Sequence, residues 1–286
     1  MDSPDNISTY YSVSESLVLG IPYVVITSIY LPLYFAIIVT LSNKTEYDGL
    51  ILYRILEHIS IANLLSLLSM LTCGVFELTR VKFHGVLDIT AGSFAAWFRI
   101  GFILLNILLS LNQLSVAFHF SIPYERDLHK YLIFLIWYAL IVLVLMTVYL
   151  NFDFYYAFES HYYHDPTEKF EFIINACRHV TTAIYIVTVF RVIYLKFVRK
   201  QALDHRELSA LYQTLALHLP THIVSIVYQV FASQIKASNY SKLTYILLYR
   251  SLPAVTITLV LLLNRNLYKD VCHQVSKIKG RLIAVV

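Results

Sequence analysis

Two histidines, His218 and His222, stand four residues apart on either side of Pro220, in the middle of an apolar block. On a helix that spacing puts both imidazoles on one face, where they could hold a metal ion. A zinc site needs a third ligand, and catalysis needs an acid or base at the same depth. His58 and His119 lie at one boundary of the apolar blocks and His179 at the other, so no third ligand is in reach and neither a metal nor another cofactor is expected. The two rings are expected instead to hydrogen-bond beside the carbonyl that Pro220 frees.

Charged side chains inside apolar blocks are the other chemical signal. Each costs about 3 kcal/mol or more on insertion into lipid, so one retained there marks a function or a partner. Arg250 is the clearest; Glu77 is its expected neighbour, and Arg99 and Arg178 are expected to enter the same region from the outer ends of their helices. Three cations and one carboxylate around one outer cavity would favour an anionic or hydrogen-bond-accepting small ligand. The alternative stays open that Arg99 and Arg178 snorkel to the interface and that Glu77 and Arg250 form a structural pair. Tyr185, Tyr228 and Phe231 could line such a pocket or simply pack the core. Tyr131 and Tyr245 suit an interfacial aromatic belt.

These groups must be positioned by membrane helices. The 286 residues are 58% hydrophobic and 14% charged, against roughly a quarter charged in soluble domains. The apolar residues fall in blocks rather than stripes, so whole helices are coated. A helix needs about 20 apolar residues to cross a bilayer. Spans are predicted at 17–41, 55–78, 100–118, 131–150, 172–195, 208–235 and 243–264, followed by a tail at 265–286. The whole chain, 1–286, is then a single all-α seven-span bundle, with no internal repeat and no broken helix. Asp2 and Asp5 precede the first block without any Lys or Arg, so that block is read as a retained span rather than a signal peptide.

The net charge of +4 comes from bases at the ends of apolar blocks, which indicates orientation rather than nucleic acid. Fourteen Lys and Arg fall on one side, among them Arg126, Arg199, Lys200 and Arg206, and six on the other. That asymmetry puts the amino terminus outside and the tail in the cytosol, and it places the Asn6-Ile7-Ser8 sequon on the glycosylated side. In the tail, Leu267, Val271, Val275, Ile278 and Leu282 recur at helical spacing among Lys269, Lys277, Lys279 and Arg281. This predicts a basic amphipathic helix on the anionic leaflet, with Cys272 as a candidate palmitoylation site; a disordered basic tail is the alternative. Cys73 and Cys177 are expected to be buried free thiols.

Leu111-Asn112-Gln113 near the inner half of the third span, then Ile122-Pro123-Tyr124, resembles the Leu-Asn-Arg motif and following proline of nematode serpentine chemoreceptors of the Srg superfamily. Pro220, Pro253 and Leu263-Asn264-Arg265 are similar to later landmarks of that group. The resemblance implies a G-protein-coupled chemoreceptor in the plasma membrane of a sensory cell, not an enzyme. It further implies a small ligand in the outer half of the bundle and a heterotrimeric G protein docking near Arg126, Arg199, Lys200 and Arg206. Asn112, Gln113, Pro220 and Pro253 are the implied switch positions, although Gln113 stands where the motif has arginine. The other function classes are a small-molecule transporter or channel and, third, an intramembrane hydrolase built on His218 and His222.

Overall fold

The computed structural model describes residues 13–44, 47, 50–80, 85–120, 125–150, 156–157, 162–163, 171–198, 205–237 and 239–283. Asn6, Arg199 and Lys200 lie outside them, and Arg206 is placed only as part of its helix.

Among the described residues the elements run α1 (Val13–Asn43), α2 (Ile51–Thr79), α3 (Gly85–Phe118), α4 (Glu125–Tyr149), β1 (Tyr156–Ala157), β2 (Tyr162–Tyr163), α5 (Glu171–Ile193), a π turn (Tyr194–Val198), α6 (His205–Ala237), α7 (Asn239–Arg250), α8 (Leu252–Leu263) and α9 (Arg265–Ile283). Helices α1 to α6 are each long and apolar enough to cross a membrane. A seventh crossing exists if α7 and α8, bent by 44° across a break, count as one span.

Three boundaries depart from expectation. The third span is expected at 100–118, but α3 begins at Gly85. Asp88 and Arg99 interrupt the apolar run without interrupting the helix, and an acid in the first turn suits the positive end of the helix dipole. The seventh span is broken at Ser251, because Pro253, with no N–H to give, sits in the first turn of α8. The longest connection, expected as loop, contains the antiparallel pair Tyr156↔Tyr163 and Ala157↔Tyr162.

Burial is arranged as lipid requires. Phe134 and Leu145 on α4 are 69% and 61% exposed, while Ser60, Asn63, Asn106, Ser110, Asn112 and Gln113 are buried. Polar groups inside and apolar groups outside reverse the soluble pattern. Helices α1 and α2 approach closely at glycines: a Cβ on Gly74 would come within 2.9 Å of the Tyr23 Cβ. A Cβ on Gly101 would likewise meet Leu140, seating α3 against α4. Trp97 donates to Thr147 at 2.9 Å across α3 and α4, and Trp137 donates to His58 Nδ1 at 3.0 Å across α4 and α2.

Where α8 meets α9, Asn264 closes one helix and opens the next, its Oδ1 accepting from the Leu267 N–H at 3.0 Å. Its Nδ2 donates to Tyr53 of α2 at 3.0 Å and to Gln213 of α6 at 3.2 Å. The expected tail helix exists as α9, but part of its apolar face, Leu267 and Val271, is buried against protein rather than left for a leaflet. Asp270 fastens it: Lys44 pairs with the carboxylate at 2.5 Å and Tyr47 donates to it at 2.5 Å.

Candidate ligand cavity

A partly open cavity lies among α2, α3, α5, α6, α7 and α8, holding about 860 Å³ of space free of atoms, its mouth included. It sits at mid-bundle rather than in the outer half: Asn63 to Met70 are central in α2, Ala95 to Asn106 central in α3, and His218 and Thr221 central in α6.

Three of the four charged candidates meet there. Arg99 comes from α3, Arg178 from α5 and Arg250 from the last position of α7, and all three line the cavity. The early start of α3 matters, because it places Arg99 well inside the span instead of at its outer end. Arg178 Nη1 donates to Asn175 Oδ1 and to Ser225 Oγ, each at 3.2 Å. Arg99 Nη1 reaches the Tyr249 hydroxyl at 3.4 Å, and Tyr249 lies within electrostatic reach of all three guanidiniums. Among the described residues no Asp or Glu lines the cavity.

Glu77 does not line it. The residue is fully buried on α2, where a Cβ on Gly20 of α1 would come within 3.1 Å of its Cβ, and Tyr23 of α1 lies within electrostatic reach of both Glu77 and Arg250. Among the described residues, Cys73, Tyr23, Tyr249 and the like-charged Arg99 lie within electrostatic reach of Arg250.

The remaining walls are apolar and neutral polar. Leu67, Met70, Phe98, Phe102 and Ile103 supply hydrophobic surface, and Asn63 and Asn106 supply amides. Leu252 and Pro253 bring the N-terminal end of α8 to the same cavity, where the helix dipole adds partial positive charge. Neither asparagine is among the sequence candidates, although an amide inside an apolar span is a signal to face the bundle interior. Tyr249 escapes sequence reasoning for a different reason, being one of 23 tyrosines. It ends a stack that runs from Tyr228 through Tyr245, with ring centroids 4.8 Å and 6.0 Å apart. Tyr185 packs on His218 at 4.9 Å, and Phe231 is half exposed; neither lines the cavity.

The histidine pair is held by one hydroxyl. Thr182 Oγ1 donates to the Arg178 carbonyl at 2.9 Å, so its lone pairs accept from His218 Nε2 at 2.8 Å and from His222 Nδ1 at 3.2 Å. The rings therefore hydrogen-bond, as expected, with Thr182 as their shared partner. Among the described residues no three His, Cys, Asp or Glu side chains gather as a metal site.

The switch candidates are spread over three helices. Asn112 and Gln113 are buried near the end of α3. Pro220 stays within α6, whose non-helical residue is Phe231. Pro253 sits at the α7–α8 break and lines the cavity. Arg126 is exposed in the first turn of α4. Cys73 is a buried free thiol, Cys177 is only partly buried, and Cys272 is exposed on α9. No protein-family model matches the chain, and no curated protein matches it either.

Proposed function

We propose that this chain is a seven-span chemosensory receptor of the plasma membrane, amino terminus outside, that takes a small ligand into the bundle and signals to a heterotrimeric G protein. The observation that carries this reading is the convergence of Arg99, Arg178 and Arg250, from three helices, on one cavity. A site assembled from several helices responds to its ligand by changing their relative positions, which is what a receptor needs. The α7–α8 break supports it, since Arg250 and Pro253 lie on either side of Ser251 and both line the cavity. Arg126 and α9 then face the cytosol, with Arg199 and Lys200 in the connection before α6 and Arg206 in its first turn, where a partner would dock.

One observation favours a second reading. Broken helices with charge at mid-depth are a transporter feature, and the α7–α8 break departs from the unbroken span expected there. Two assays on the same preparation separate the two. Receptor in nanodiscs, exposed to small carboxylates and phosphate esters together with purified G proteins, is expected to accelerate guanine-nucleotide exchange, and Arg250→Gln is expected to abolish the response. Absence of exchange with every G protein, together with uptake of the same compounds into proteoliposomes, would replace receptor with transporter.

A further inference from the structure

We infer that the occupant of the cavity is a compact molecule with an apolar body and a hydroxyl or N–H at one end, the donor being received by Asn106 Oδ1. The inference rests on the cavity being a ligand site, but neither on coupling to a G protein nor on the charge of the occupant.

Helix α3 meets the cavity along one stripe, on which Ala95, Phe98, Phe102 and Asn106 follow each other at the three and four residue steps of a single helical face. Asn106 closes the stripe, one turn beyond Phe102, and is 3% exposed. An amide buried in an apolar span is costly unless both of its ends are used. One end is: Nδ2 donates to the Phe102 carbonyl at 2.8 Å, which also fixes which amide atom is which. The other is not, for Oδ1 is buried and has no hydrogen-bond partner among the described residues. The terminal torsion of an asparagine is soft, so a small turn of the amide presents this oxygen to an arriving donor.

The three threonine hydroxyls on the other walls have no proton left for it. Thr181 donates to the Cys177 carbonyl at 2.7 Å, Thr221 to the His218 carbonyl at 2.6 Å, and Thr256 to the Leu252 carbonyl at 2.9 Å, and all three line the cavity. A hydroxyl has one proton, so what they turn to the cavity is lone pairs, which favour the same kind of occupant. The rest of the occupant is set by Leu67, Met70, Phe98 and Phe102, whose surfaces suit an apolar body beside the donor. A molecule of the same shape without the donor fills the space but leaves the Asn106 oxygen buried and unpaired, and is rejected on that account.

Purified full chain in nanodiscs, without G protein, is titrated with pairs in which a methyl group replaces a hydroxyl: phenol and toluene, benzyl alcohol and ethylbenzene, and 4-hydroxyphenylacetate and 4-methylphenylacetate. Empty nanodiscs subtract partition into lipid. Each pair holds shape and net charge constant, so the affinity ratio of hydroxyl to methyl member isolates the donor. That ratio is expected to fall about fivefold or more in Asn106→Leu, with the methyl member binding as well as before or better; should that variant not fold, Asn106→Ala serves. A ratio that Asn106→Leu leaves unchanged, an equal loss of both members in that variant, or no binding of any probe at millimolar concentration overturns the inference. Nucleotide exchange is read separately, so a ratio that depends on Asn106 without exchange would sink the receptor reading alone.

Discussion

The hydroxyl of Tyr34 on α1 donates a 2.6 Å hydrogen bond to the carbonyl of Pro253 at the start of α8, two positions past the break, and accepts one from Asn63 Nδ2 of α2 at 3.1 Å. Two helices, α1 and α2, are thereby tied to the bend beside Arg250. Tyr34→Phe removes the donor to one buried carbonyl and the acceptor of one buried amide, although Thr256 still donates to Pro253 at 3.0 Å. The expected cost is about 1–3 kcal/mol, read as a lower unfolding midpoint in detergent. An unchanged midpoint would mean that the bend is held elsewhere.

Thr182→Val keeps the side-chain shape but leaves the N–H groups of His218 and His222 without their shared acceptor. A loss of about 1–3 kcal/mol is expected, and Thr182→Ser should restore most of it because the hydroxyl alone makes the contacts. If serine fails to rescue, the methyl group rather than the hydroxyl holds α5 to α6.

Gly74→Ala places a methyl 2.9 Å from the Tyr23 Cβ and 3.3 Å from the Val24 backbone nitrogen. Backbone cannot swing aside as a long side chain can, so α1 and α2 must separate. A destabilisation of about 1–3 kcal/mol is expected in the same unfolding assay.

Asp270 supplies a pH dependence. Burial alone would raise its carboxyl, but hydrogen bonds from Lys44 and Tyr47, with the charges of Lys44 and His273, outweigh burial and hold it below the usual 3.8. A group depressed in the folded state stabilises above its unfolded value, and that contribution is lost as pH falls through the folded value. Docking of α9 is thus expected to hold at neutral pH and to weaken below pH 3.8. Asp270→Asn removes the contribution at every pH, and hydrogen exchange of the first turns of α9 should then rise several-fold at pH 7. With Lys44 39% exposed, the effect stays under about 1 kcal/mol. Exchange that responds neither to pH nor to the Asp270→Asn substitution would place α9's attachment in Leu267 and Val271 alone.

Sequence made the helices legible where lipid alone dictates composition. The charge-free stretches inside α1, α2, α4 and α6 announce themselves, because every face of such a helix must be apolar or turned inward. It failed where interior contacts override that rule. Asp88 and Arg99 read as loop, yet belong to α3: Asp88 is buried in its first turn and Arg99 lines the cavity, and a charge turned inward does not end a helix. Pro253 read as a tolerated proline, while the contact that accompanies the bend comes from Tyr34, 219 positions away, and no local pattern carries it. The arginines could be picked out because charge in an apolar block is rare. That they meet, and that Glu77 does not line the cavity with them, depends on how six helices are rotated.

Ser66 lines the cavity and differs from cysteine by one atom, so Ser66→Cys, with Cys73, Cys177 and Cys272 replaced by alanine, makes its electrostatic field directly measurable. Rates of modification by a negatively charged and a positively charged thiosulfonate of similar size, compared in nanodiscs, report the sign of that field at the introduced thiol. If Arg99, Arg178 and Arg250 leave the cavity positive, the negative reagent reacts about tenfold faster or more, and Arg250→Gln narrows the gap. Equal rates, or a faster positive reagent, would contradict the account.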